Sequence, residues 1–84
     1  MTPEQHELMY DFIKKFWNFM KTTWKPVDSD PWWDKLLDDA NALADRYADQ
    51  DPEVFSMVKV LIVAYIQELD KRGHRNAEKA DLYG

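Results

Sequence analysis

Carboxylates are the side chains best supplied for chemistry in this chain: 16 of its 84 residues are Asp or Glu, against 11 Lys or Arg. Asp34/Asp38 and Asp45/Asp49 are i, i+4 pairs, which on a helix become surface neighbours. Such pairs do acid–base work when one member lies in a pocket that raises its pKa. The apolar periodicity of this segment turns all four outward, so a solvated acidic face is expected. Metal chemistry fares no better. Asp28-x-Asp30 begins like an EF-hand, but Trp32 replaces an oxygen ligand and Trp33 stands where the turn glycine must be. Asp49-x-Asp51-x-Glu53 clusters oxygens, yet Asp51 before Pro52 reads as a helix cap. No Glu-x-x-His pair is present for a carboxylate metal site within a bundle.

Nucleophiles and phosphate cradles are equally scarce. There is no cysteine, and the two glycines, Gly73 and Gly84, cannot build a P-loop, a G-x-G-x-x-G turn or a G-x-S-x-G elbow. His6 and His74 sit near opposite ends of the chain with no evident nucleophile partner. The sequence thus predicts a protein that is not an enzyme and takes no metal or cofactor. What remains is recognition. Tyr10, Trp17 and Trp24 recur every seven residues, with Lys14 and Lys21 beside them. Trp and Tyr are common anchors of protein interfaces, so this edge is a candidate partner site if the fold leaves it exposed. The second candidate is the row Asp34, Asp38, Asp45 and Asp49, suited to a basic partner or to mimicry of a phosphate row.

Three start signals position these residues. Thr2-Pro3, Asp30-Pro31 and Asp51-Pro52 each place a side-chain oxygen before a proline. The oxygen can cap a free backbone N–H, and proline in the first turn gives up no helix bond. Helices are expected over about 3–24, 31–49 and 52–72. In the first, Thr2 and Gln5 have capping-box spacing. Its apolar residues, from Leu8 to Trp24, cover roughly 200° of the helix, a wide arc for one core face. Lys25-Pro26 ends it. In the second, Ala40, Ala44 and Ala48 form a row that permits close helix approach. The third, with MVKVLIVAYI at its centre, is apolar almost all round. Its β-branched residues suit a strand, but its length, its Asp51-Pro52 start and its Lys71-Arg72-Gly73 end favour a helix. Val60 and Val63 fall outside its main stripe.

The expected fold is all-α: a mostly antiparallel three-helix bundle over 1–73, with a short mobile or partly helical tail at 74–84. Short connections favour antiparallel neighbours. A net charge of −5 argues against direct nucleic-acid binding through a basic surface. The charge is uneven, with nine acids and two bases from Asp28 to Glu53. The longest apolar run, Val60 to Ile66, is far short of the roughly 20 residues that span a membrane. With no secretory signal at the start and no cysteine, a cytoplasmic location is expected.

The stretch DPWWDKLLDDANALADRYAD, following an aromatic-rich first helix, resembles small acidic all-helical proteins of unknown function from bacterial phages and mobile elements. That resemblance implies an accessory protein that works by binding another protein. The surplus apolar surface of the first and third helices points the same way. The expectation is a protein-interaction module, able to pair as a homodimer. The alternatives are an acidic mimic that blocks a nucleic-acid-binding protein, and an enzyme or metal-binding protein, which a pocket joining His6 to buried carboxylates or a cation at Asp49, Asp51 and Glu53 would reveal.

Overall fold

The computed structural model describes residues 1–73; the expected tail at 74–84 lies outside them. Three helices follow in order: α1 (Pro3–Thr23), α2 (Asp30–Asp45) and α3 (Pro52–Gly73). Each packs against the other two, with α2 running antiparallel to its neighbours.

Capping chemistry sets the starts. The Gln5 N–H donates to Thr2 Oγ1 (3.1 Å) while the Thr2 N–H donates to Gln5 Oε1 (2.8 Å), a reciprocal box. Asp51 Oδ1 accepts from the N–H groups of Glu53 (2.9 Å) and Val54 (3.1 Å). The Gln5 side-chain amide also reaches the Asp51 carboxylate (3.3 Å) and Glu53 (3.3 Å). One residue therefore joins the caps of α1 and α3 and holds those helices parallel. The start of α2 differs from the sequence expectation. Ser29, not Asp30, is the cap: its backbone is extended and its hydroxyl accepts from the Trp32 N–H. Asp30 instead lies in the first turn, where an acid is favoured by the helix dipole.

The end of α2 differs as well. The apolar pattern continues to Ala48 and predicts a helix reaching 49, but the helix stops at Asp45 and 46–50 form a turn. Tyr47, Ala48 and Gln50 make i→i−3 backbone bonds there. The chain must reverse between Tyr47 and Pro52, and this tighter winding reverses it while keeping Tyr47 in the core. The alanine row is shortened in consequence: Ala40 is buried, Ala44 half-buried and Ala48 exposed. The first helix ends at Thr23, with Trp24 as its C-cap.

The core is aromatic at its centre. Phe12, fully buried, stacks on Phe16 at 5.1 Å and meets the Tyr47 ring edge-on at 5.7 Å. Phe16 meets Tyr65 in the same way. Leu36, Ala40 and Leu43 of α2 and Val54, Val58, Ile62 and Leu69 of α3 close it. Both tyrosine hydroxyls find partners on α1, as buried polar groups must. The Tyr47 hydroxyl donates to Asp11 Oδ2 (2.8 Å), and Asp11 Oδ1 pairs with Lys15 (2.6 Å). The Tyr65 hydroxyl shares a 2.6 Å hydrogen bond with the buried Thr23 hydroxyl. Tyr47 thus ties the end of α2 to the early part of α1, and Tyr65 ties α3 to its end.

These bonds carry a pH signature. Burial, then the bond to Asp11, pushes the Tyr47 hydroxyl far above its ordinary range; burial also raises Tyr65. A raised tyrosine pKa favours the fold up to the unfolded value near 10, above which the unfolded chain ionises first and stability falls. Hydrogen bonds from Lys15 and Tyr47 hold Asp11 below the usual carboxylate range, so its contribution is lost as pH falls below about 4. Tyr47→Phe should cost about 1 kcal/mol at neutral pH. It should also make the alkaline loss of stability shallower without abolishing it, because Tyr65 remains. Urea unfolding at pH 7 and between pH 9.5 and 11, values chosen to bracket about 10, checks both effects.

Candidate functional site

The wide arc of α1 divides into three zones. Phe12 and Phe16 point into the core, while Leu8, Met9, Phe19 and Met20 are half-buried against the neighbouring helices. Tyr10, Ile13, Trp17 and Trp24 are left over, and each is at least half exposed; Trp17 stands at 59%. The surplus falls on the border of α1 nearer α3. Arg72, near the end of α3, lies with its guanidinium carbon 4.5 Å from the centre of the Trp24 ring. At the other end, Lys14 sits 5.0 Å from the Tyr10 ring. Cations against aromatic faces hold both ends of the edge in place. Trp17 and Ile13 lie between them.

All three aromatic residues singled out from the sequence therefore share one exposed border. The apolar surface continues beyond it. Met9 faces Val54, Met57 and Leu61 across the shallow groove between α1 and α3, with Met1 at its mouth. Unbranched thioether side chains adapt their shape to what they touch. On α3, Val60 and Val63 are exposed at 59% and 52%.

The acidic candidates are placed differently. Asp34, Asp38 and Asp45 are exposed on the outer face of α2. Asp49 is not with them on the helix; it lies in the turn that follows. Beside them Asp39 pairs with Lys35 at 2.8 Å, which offsets part of the local charge. Asp51 is engaged as a cap. The Val54 N–H above all, then the Gln5 amide and the Glu53 N–H, holds it below the usual carboxylate range. Among the described residues, no three His, Cys, Asp or Glu side chains stand close enough to hold a metal ion. His6 is exposed on α1, and His74 lies outside the described residues. No described helix is long and apolar enough to cross a membrane.

Sequence reasoning missed the role of Asp11. It falls on the polar side of α1 with Glu7 and Lys14, and its partner Tyr47 is 36 residues away. No local spacing signals that pair. The chain matches no family model, no curated protein and no solved structure.

Exposure of the edge has an optical consequence. Trp17 and Trp24 should be open to a dissolved quencher, whereas Trp33 is buried. Acrylamide quenching should show distinct accessible and protected tryptophan populations. Trp17→Phe should lower the accessible fraction, and Trp33→Phe should reduce the protected, blue-shifted emission, leaving that of half-buried Trp32.

Proposed function

We propose that this chain is a small protein-interaction module that docks a partner against the aromatic edge of α1, with Trp17 as the central anchor. The observation that carries this reading is the 59% exposure of Trp17 on a helix whose core face is already filled by Phe12 and Phe16. A large ring that the fold does not bury is available to a partner, and truncating such an anchor typically costs an interface about 2 kcal/mol or more. Lys14, Lys21 and Arg72 stand around the edge, so the matching partner offers apolar pockets with an acidic rim. On this reading the chain binds rather than catalyses, in keeping with the accessory role implied by its resemblance to small phage proteins.

The mimic reading is weaker. Its row of four acids is reduced to Asp34, Asp38 and Asp45 once Asp49 leaves the helix. Exposed acids on an outer helix face chiefly serve solubility and encounter rate. The two readings differ in which substitutions matter. Affinity capture from the cells that make the protein should recover a partner with the wild type. The same partner should be retained by the Asp34→Asn/Asp38→Asn/Asp45→Asn variant and lost with Tyr10→Gln/Trp17→Gln. Loss with the aspartate variant alone would reject the aromatic edge and support the mimic.

A further inference from the structure

α3 has two uncharged faces. One is the core stripe of Val54, Val58, Ile62, Tyr65 and Leu69. At 100° per residue, Ser56, Val60, Val63 and Gln67 gather on the opposite side. Their spacing of four, three and four residues is that of a seam between two helices. All four are exposed. The outer faces of the other helices carry charge: Glu7, Lys14 and Lys21 on α1, and Asp34, Asp38 and Asp45 on α2. On α3 the only charged residue between Glu53 and Glu68 is Lys59. That lysine borders the face beside Val60 and Val63, with its ammonium turned to the α2 side, 4.5 Å from the Phe55 ring. Val60 and Val63, adjacent at the centre of that face, are exposed apolar surface that a partner could cover.

We propose that the outer face of α3 is covered by the same face of a second copy of this chain, packed antiparallel about a two-fold axis between Val60 and Val63. The seam is complementary to itself in that arrangement. Val60 of each copy meets Val63 of the other, apolar against apolar. Ser56 meets Gln67, a hydroxyl against an amide that can donate or accept. Glu53 and Lys71 lie at the same helical angle, so along the flank each Glu53 approaches the other copy's Lys71, giving two opposite-charge contacts. The two helix dipoles also run head to tail.

The area is consistent with a modest dimer. From Glu53 to Lys71 the helix rises about 27 Å. Exposed Met57 and Leu37 extend its apolar character toward the grooves with α1 and α2. A helix face about 10 Å wide over that length gives a footprint on the order of 300 Å² per copy, at the low end of specific interfaces, where weak and transient pairs lie. The seam shares no residue with Tyr10, Trp17 or Trp24, so it stands or falls independently of the docking edge on α1.

Sedimentation equilibrium of the full chain from about 1 to about 300 µM tests this, because dimerisation follows mass action. The wild type should pass from monomer to dimer with a Kd of about 10–100 µM, in the range of small transient interfaces. Val60→Glu alone and Val63→Lys alone should each be monomeric throughout. Because both positions are exposed, both variants should keep the wild-type far-UV circular dichroism and cooperative melting. Mixing the two variants should restore a dimer, since Glu at 60 on one chain then faces Lys at 63 on the other. A wild type that stays monomeric, a dimer that Val60→Glu leaves intact, or a mixture that fails to associate would each overturn the proposal.

Discussion

Three helices of 16 to 22 residues can each bury only one stripe, and that geometric limit governs the whole molecule. The chain has no disulfide to add to its stability, so the stripe that is buried must be dense. Phe12, Phe16, Tyr47 and Tyr65 meet at stacked and edge-on distances of 5.1–5.7 Å. Large rings bury the most area per residue, which explains why the centre of so small a core is aromatic. The limit also has an outward consequence. Apolar residues beyond the single stripe cannot be used for folding and remain on the surface.

Tyrosine hydroxyls convert this nonspecific burial into a defined arrangement. Leucine or phenylalanine could fill the same space, but would not fix which part of α1 lies beside the end of α2. Tyr47 reaching Asp11 and Tyr65 reaching Thr23 set that register at two well-separated points along α1. Gln5, joining the caps of α1 and α3, adds a third point at the parallel starts. The bundle is therefore held by burial in its middle and by directional bonds toward its ends. α1 is the common element in all three, which leaves its remaining border rigidly presented.

Much of this architecture was legible in the chain. The three proline signals mark the starts because capping is local chemistry: an oxygen and a proline within three residues suffice. The shift from Asp30 to Ser29 shows the limit of that reading, since both residues can cap and only backbone conformation decides between them. The end of α2 was not legible. Periodicity through Tyr47 and Ala48 looks helical, because a tight turn also directs Tyr47 inward. Exposure was legible only as a question. A helical wheel gives the angle of Trp17 relative to Phe16, but not where neighbouring helices sit on that wheel. The Asp11–Tyr47 bond, across 36 residues, left no pattern at all.

The functional account rests on separating residues that build the fold from residues that the fold leaves over. Core position and exposure make that division in the structure, and unfolding energetics can make it in solution. The most direct measurement is the unfolding free energy of the variant Tyr10→Gln/Trp17→Gln/Val60→Gln/Val63→Gln. It should be compared with the wild type by urea denaturation at a protein concentration low enough to keep both monomeric. Exposed substitutions usually change stability by about 0.5 kcal/mol or less each, so the account predicts a total change within about 2 kcal/mol and an unchanged cooperative transition. A loss of about 5 kcal/mol or more, or loss of cooperativity, would show that these side chains belong to the core, and would contradict the claim that they are free to bind.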